Sequence, residues 1–489
     1  MISETKIQNL EALGKLIAGL KAQGKRIVLC HGCFDLMHPG HIKHLNAARD
    51  MGDRLVVTIS PDRYIDKGPH RPVFREQLRA ESVAALACVD FVAVNDRPTA
   101  VELLDRLKPD IYVKGQEFES AEDPTGKLNA EKETVEKHGG KMAFTHETVF
   151  SSSNLINRFM DVFPEAFQNA LSDIRQEIGL DQVLSTLDKL SRLRVLVTGD
   201  SIVHTREYCR PLERAGRSNT LSTRHIRTST HAGGACAVAG FAAMFSDNCT
   251  LLSVRGEQRA FPRPPEALNE ETYRVPGRQT IHIKDFLDTR DGSLLFQNQS
   301  GNHPVPSEAD NTEIIHRLSR MDKFDILLLA DMGYGTISSS LANELRRKTE
   351  TLSVLFTNHA AENRQVDPGA FPGIDAMTVT RDITRGDGSQ STLPGNSSIP
   401  KILYDGPSGS CFIQEDRLHM PGLVGTHLET PGEPEAFFAL TALLSKVSAD
   451  PRVILLLGNL ISAMVANQGR SPHGISGSDL IKYLTSIMK

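Results

Sequence analysis

Apolar runs long enough to cross a membrane are missing from this 489-residue chain. Runs such as 326–330 and 453–457 fall far short of the roughly 20 residues a membrane helix needs, so no membrane partner is expected. A secretory leader is missing too: Glu4 and Lys6 stand early and no continuous apolar core follows, which points to a cytoplasmic protein. Cysteine is scarce. The seven residues, Cys30, Cys33, Cys88, Cys209, Cys236, Cys249 and Cys411, are odd in number and scattered, and make no disulfide framework. Positive charge is not in excess. A net charge of −5, a pI near 6.4 and the lack of an arginine-rich cluster with interleaved aromatics argue against nucleic acid as the main partner. Cys30 and Cys33 do spell C-x-x-C, but a redox or zinc site would need a thioredoxin-like helix or a second ligand pair; the other reading is small residues packing at a strand end.

What is present suits a globular enzyme. Hydrophobic residues make up 39% and charged residues 24%, and the length allows two or three domains with their own cores. The most informative stretch is 27–45, Ile-Val-Leu-Cys-His-Gly-Cys-Phe-Asp-Leu-Met-His-Pro-Gly-His-Ile-Lys-His-Leu. Its apolar start reads as a short buried strand, Gly32 permits a tight turn, and Pro39 and Gly40 leave little bulk where the chain enters a helix over 41–51. Free N–H groups and the helix dipole there attract phosphate oxygens. His38 and His41 can hydrogen-bond, or if protonated offset, charge that builds on a phosphorus in transfer. With 17 His and 37 Gly, chance supplies about 0.04 His-x-Gly-His patterns in such a chain, so context decides between a site and two surface histidines at a turn.

The context resembles the nucleotidylyltransferase superfamily of cytidylyltransferase type, above all the sugar-phosphate adenylyltransferase part of bifunctional heptose-phosphate kinase/adenylyltransferases. The resemblance runs over 26–160. Beyond His38-Pro39-Gly40-His41 it rests on Asp35 after Phe34, Lys67-Gly68 before Arg71-Pro72, Arg79, Val89-Asp90, Val113-Lys114-Gly115 and Ser151-Ser152-Ser153. It implies that His38 and His41 stabilise the pentacoordinate α-phosphorus, that Lys67 helps neutralise the triphosphate, and that Lys43 or His44 assists. Gly32, Cys33, Phe34, Asp35, Gly40, Arg79, Lys114, Gly115 and the three serines would hold the nucleotide. One departure is plain: Thr145-His146-Glu147-Thr148 lacks an arginine that some relatives place before the serines. The implied reaction is attack of a sugar or polyol phosphate on the α-phosphate of ATP or CTP, with Mg²⁺ riding on the phosphates and no dedicated protein metal site. Such chemistry asks for positioning and cationic groups, and no Ser/His/Asp arrangement is evident.

Strand and helix alternate through 55–60, 76–87, 90–94, 99–107 and 110–114 after an amphipathic lead-in at 5–24, the pattern of an α/β parallel sheet covered by helices. Residues 161–191 read as a helical connection, with Phe163, Phe167 and Leu171 packing against a neighbour, and the chain divides near 190. A second start follows at 194–200, a buried strand ending in Gly199-Asp200, then Gly233-Gly234 entering an apolar helix, a strand at 249–254, another at 326–330 leading to Asp331, and one at 354–357. These landmarks over 192–485 resemble the ribokinase-like sugar-kinase fold, in reversed order relative to the bifunctional enzymes. The expected organisation is therefore a Rossmann-like nucleotidyltransferase domain (1–160) and a C-terminal ribokinase-like α/β domain (192–489).

Within the second half the working parts depart from that family. His204 stands where an aspartate contacts the sugar, and Thr378-Val379-Thr380-Arg381 replaces an Asn-x-x-Glu pattern. The Gly-Ala-Gly-Asp anion hole and base become Gly432-Glu433-Pro434-Glu435. Pro434 removes an N–H donor, Glu433 brings negative charge to a phosphate position, and Glu435 is one methylene longer than the aspartate. Asp200, His204, Gly233, Gly234, Gly432 and Glu435 thus form a vestigial kinase site in a unit expected to be catalytically silent. Sugar kinases of that family often pair, so a homodimer is expected, with ligand sensing as the other role. Residues 257–278 and 381–400 read as surface loops. The resemblance leaves ATP and CTP open, and the acceptor is set by loops such as 60–75 and 116–130, where Gln116-Glu117-Phe118 is either acceptor-facing or a solvated loop. A retained kinase activity, or a scaffold in which both halves are relics, are the competing readings.

Overall fold

The computed structural model describes residues 6–65, 72–97, 99–115, 127–145, 163–212, 220–257, 261–262, 268–290, 292–301, 306–356, 373–380, 399–423, 432–468 and 475–488. It falls into two compact units, one up to Val162 and one over Phe163–Leu484.

In the first unit, α1 (Leu10–Ala22) opens at Asn9, whose side chain accepts the Ala12 N–H at 2.8 Å and caps the first turn. Five parallel strands follow among the described residues, in the order β3-β2-β1-β4-β5: β1 (Ile27–Gly32), β2 (Arg54–Ile59), β3 (Phe91–Val94), β4 (Ile111–Gly115) and β5 (Lys141–Thr145). Helices α2 (Pro39–Arg49), α3 (Glu76–Ala84), α4 (Val101–Leu107) and α5 (Lys127–Lys137) connect them. The period of two in β1 explains how both faces are covered. Val28 and Cys30 join Leu45, Ala48, Ala80 and Val83 in one core, while Ile27 and Leu29 join Leu13, Ile17, Leu103 and Leu104 in another. The strand ends at β1 and β4 are therefore held from both sides, and the loops beyond them form one edge.

The second unit begins with α6 (Glu165–Glu177) and α7 (Leu180–Asp188), whose Phe167, Leu171, Ile174, Val183 and Leu187 are buried. The 18-residue strand β6 (Arg194–Pro211) then runs through two sheets. Its first half pairs in parallel with β8 (Asn248–Gly256) and β12 (Phe324–Asp331); its second half pairs antiparallel with β7 (Thr223–Gly234) and in parallel with β10 (Ile281–Asp288), which carries β11 (Leu294–Ser300) at its edge. Beyond β12 the sheet continues through β13 (Thr349–Phe356), β14 (Ala376–Thr380), β15 (Lys401–Tyr404), β16 (Gly409–Ile413) and β17 (Arg417–Pro421), the last two antiparallel. Helix α8 (Ala235–Ala242) follows β7 directly; α9 (Glu308–Ser319) and α10 (Ser339–Lys348) contribute Ile314, Leu318, Leu341 and Leu345 to a core with Leu196, Leu327 and Val354. Helix α11 (Glu433–Lys446) packs against α8 and against α12 (Pro451–Gln468), which contains the apolar run 453–457.

Residues 257–278 hold a strand, not only surface loop. β9 (Asn269–Val275) pairs in parallel with β8 from Thr250↔Asn269 to Gly256↔Val275. Of its side chains only Val275 is buried, so a backbone ladder and not an apolar alternation makes this strand, which is why its pattern was silent. The stretch 381–398 lies outside the described residues.

Gly199 marks where β6 leaves one sheet for the other. Its φ is +131°, and a Cβ there would stand 2.1 Å from the Ala330 carbonyl oxygen. Gly199→Ala is therefore expected to destabilise the second unit by roughly 2 kcal/mol or more, read as a lower urea midpoint, whereas Gly277→Ala, with open space around it, costs less. Equal midpoints for the two variants would contradict this account of the bend.

Candidate active site

The edge beyond β1 and β4 gathers the first unit's chemistry. After Gly32 the chain turns through Phe34, a buried non-glycine residue at φ +49°, and reaches His38 in extended conformation at the N-cap of α2. Pro39 occupies the first helical position, where a missing N–H costs nothing. His38 and His41 then lie on the same side of the helix start with ring centroids 3.8 Å apart and planes 24° from parallel. Phe34 meets His41 edge-on at 5.3 Å. The aromatic ring thus fixes one imidazole and that imidazole the other.

Burial pushes the His38 imidazole below its ordinary value, so the ring is neutral near pH 7. Two imidazolium rings stacked at this distance would also repel each other. The pair therefore acts as hydrogen-bonding groups at the positive end of a helix dipole rather than as two fixed cations. His44, one turn further, bonds Thr145 Oγ1 through Nδ1 at 2.7 Å and is likewise held down by burial and then by the Lys114 charge. His31 sits between two hydroxyls, Thr58 Oγ1 at 3.0 Å and Ser60 Oγ at 3.3 Å; burial, with Lys114 second, drops it to about 3.

Asp35 and Arg79 serve the loops around this site. Asp35, 2% exposed, accepts the N–H groups of Val73 at 2.7 Å and Phe74 at 3.2 Å. The fully buried Arg79 guanidinium donates to the carbonyls of Cys33, Ser60 (2.8 Å) and Phe74 (2.9 Å) and pairs with Asp62 at 2.6 Å. Expected from sequence among the nucleotide-binding groups, Arg79 is placed as a brace between three loops, since these acceptors use its N–H groups. Lys114, expected in the same role, ends β4 with its ammonium 2.8 Å from Glu131 of α5. Gly115 pairs with Thr145 in the β4–β5 register. Lys67, Gly68, Arg71, Ser151, Ser152, Ser153 and Gln116-Glu117-Phe118 lie outside the described residues.

In the second unit Asp200 is 3% exposed and accepts the N–H groups of Met332 (2.8 Å), Tyr334 (3.1 Å) and Thr336 (3.2 Å) and the Thr336 hydroxyl. It holds the loop after β12. His204 bonds Asp285 through Nε2 at 2.5 Å, and Gln297 donates to the other Asp285 oxygen at 2.8 Å. The His204 ring is thus engaged by a carboxylate 81 residues away. Gly233 packs where a Cβ would meet Ile202 at 2.7 Å, and Gly234, φ +61°, where one would meet the Asp200 carbonyl oxygen at 2.1 Å. Gly432, φ +99°, caps α11, and Glu433 and Glu435 at its first turn are 0% and 4% exposed. Tyr404 donates to Glu433 at 2.9 Å, while Oε2 of Glu435 is buried with no hydrogen-bond partner among the described residues.

Sequence reasoning missed His31, Thr145, Glu131 and Asp285. His31 stood inside the quoted motif, so its place beside a strand end was a usable signal; Thr145 and Glu131 in the first unit, and Asp285 beside His204 in the second, take their places only through sheet register and helix packing.

Residues 29–159 match the family described as Cytidylyltransferase-like. The chain is 40% identical over 159 residues to the "Bifunctional protein HldE" of Geotalea uraniireducens and 41% identical over 142 residues to that of Trichlorobacter lovleyi. These matches cover 32% and 29% of this chain and 31% and 28% of the relatives, so the chain spans about a third of the length of the curated relatives it matches. Among solved structures, Arabidopsis thaliana ribokinase complexed with ribose and ATP shares 13% identity at a TM-score of 0.43, over 61% of this chain and 99% of that one. Escherichia coli phosphofructokinase-2 with fructose-6-phosphate shares 11% at 0.44, over 61% and 100%.

The His31 shift carries a sign. Its folded pKa lies below its unfolded value, so the unfolded chain binds the extra proton first, and stability present above pH 6.5 is lost as pH falls toward 3. Between pH 6.5 and 5 this group removes up to about 2 kcal/mol, at about 1.4 kcal/mol per unit. Urea melts at these two pH values are expected to show a smaller loss in His31→Gln than in the wild type; an identical loss would assign the acid sensitivity elsewhere.

Proposed function

We propose that the first unit transfers a nucleoside monophosphate from ATP or CTP to a sugar phosphate, of the heptose 1-phosphate kind, or to a polyol phosphate, releasing pyrophosphate for surface-polysaccharide precursor synthesis. The observation that carries this reading is the stacked His38–His41 pair at the start of α2, beyond the end of β1. A phosphate oxygen of the acceptor attacks the α-phosphorus, the bond to the bridging oxygen breaks, and pyrophosphate leaves. Imidazole N–H groups and the helix N-terminus stabilise the charge that grows on the α-phosphate oxygens. Lys67 would meet the leaving phosphates. Mg²⁺ would arrive on the triphosphate, with phosphate oxygens and water as most of its ligands. The relatives' description as bifunctional and the cytidylyltransferase-like match support the transfer; ATP versus CTP rests on the resemblance alone.

For the second unit the reading is a sugar-kinase-like domain, placed after the transferase, that no longer transfers phosphate. Support comes from α11, where Pro434 lacks a donor and two buried carboxylates occupy the first turn, a poor seat for a polyanion. A truly bifunctional kinase/transferase is the second reading, and the buried Glu435, whose Oε2 has no hydrogen-bond partner among the described residues, is what favours it, as a candidate base.

Purified protein with Mg²⁺, each of ATP, CTP, GTP and UTP, and a panel of sugar and polyol phosphates is expected to release pyrophosphate with one triphosphate and one acceptor. His41→Ala should lower that rate by about 10²–10³-fold. Release that survives unchanged in the variant, or silence across the panel with no thermal shift on any nucleotide, would overturn the reading. ATP-dependent phosphorylation of a sugar that Glu435→Ala abolishes would replace the silent-kinase account with the bifunctional one.

A further inference from the structure

Lys114 stands near the end of β4, one residue beyond the Cys30↔Val113 register that aligns β4 with β1, and so beside the strand end that carries His31. Its Nζ lies 2.8 Å from Glu131 Oε2, with the two side chains 12% and 10% exposed. Tyr112, fully buried, donates to the same carboxylate oxygen at 3.2 Å, and its ring centroid lies 5.1 Å from Nζ. Three groups on two elements thus form one polar cluster. The charge of Lys114 reaches the strand end: after burial, it is the second cause that lowers both His31 and His44, the imidazoles on either side of the His38–His41 pair in sequence. Nothing in the sequence marks Glu131, which lies on an otherwise highly charged helix.

We propose that Glu131 is a specificity-determining residue of the nucleotide site, a built-in competitor that holds Lys114 in an ion pair and yields it only to a polyphosphate. The inference rests on the nucleotidyl-transfer reading and deepens it. An ion pair nine-tenths removed from water opens only for a ligand that offers Lys114 an equal or greater negative charge in the same place. A triphosphate meets that condition and a phosphate monoester much less so. Glu131 therefore weakens all anion binding at this edge but weakens the acceptor's phosphate most, and keeps the two substrates in their own halves of the site.

The test uses the full chain and compares the wild type with Glu131→Gln, Glu131→Asp and the double variant Glu131→Gln/Lys114→Gln by calorimetric titration with ATP, CTP, tripolyphosphate and inorganic phosphate at low and high salt. Glu131→Gln is expected to bind tripolyphosphate about tenfold more tightly and inorganic phosphate more tightly still in proportion, with a gain that shrinks in salt. Glu131→Asp keeps the charge and should stay near the wild type, and the double variant should lose the gain. In turnover, KM for the triphosphate falls while kcat changes less, a split that a merely structural role would not give. If Glu131→Gln does not fold, Lys114→Gln reads the pair from its other side: a loss of tripolyphosphate affinity larger than the loss for inorganic phosphate supports a lysine yielded to the polyphosphate, and an equal or smaller loss overturns it. Folded Glu131→Gln with unchanged or weaker binding, in a protein whose wild type binds and turns over nucleotide, sinks this inference alone. Absence of binding in every variant removes the transfer reading and this inference with it.

Discussion

A guanidinium taken out of water costs several kcal/mol unless acceptors surround it. Arg79 meets that constraint by collecting the carbonyls of Cys33, Ser60 and Phe74 and the Asp62 carboxylate, and in doing so it ties together the loops that follow β1 and β2 and the approach to α3. Asp35 takes the complementary donors: Phe74 gives its N–H to Asp35 and its carbonyl to Arg79. The turn that carries Phe34 is thereby held at both ends, and Phe34 in turn fixes His41, which stacks on His38. The geometry of the histidine pair thus depends on a charge buried several residues away that has no need to touch a ligand.

The second unit repeats the device with the opposite sign. Asp200 sits where β6 bends between two sheets and satisfies itself on three backbone N–H groups and a hydroxyl of the loop after β12. The close approach of Gly199 to Ala330 and of Gly234 to Asp200 makes that bend possible. Apart from this scaffolding, the first turn of α11 carries the buried Glu433 and Glu435 beside Pro434.

Electrostatics in the first unit runs on depressed imidazoles rather than on extra positive charge. His31, His38 and His44 are held neutral by burial, and Lys114, the cation that helps hold down two of them, is itself paired with Glu131. Among the described residues, such an arrangement sets hydrogen-bonding imidazoles beside a cation that is already paired.

The turn from β1 into α2 was legible because its causes are local: an apolar strand, a glycine, a proline at the first helical position and histidines three residues apart. The alternation of strands and helices, and with it the parallel sheet, was legible for the same reason, since period and punctuation belong to neighbouring residues. β9 was not, because an edge strand held by backbone hydrogen bonds needs no apolar pattern. Nor were the roles of Arg79, Asp200 and Lys114. Residue type alone marked them as charges near a site; whether such a charge faces a ligand or a protein acceptor depends on partners up to 136 positions away, which only packing brings within reach. By itself the sequence determined the local geometry of the histidine turn and the order of its elements. Tertiary structure decided which buried charges are already satisfied, because a desolvated ion must find its counterpart wherever the fold places one.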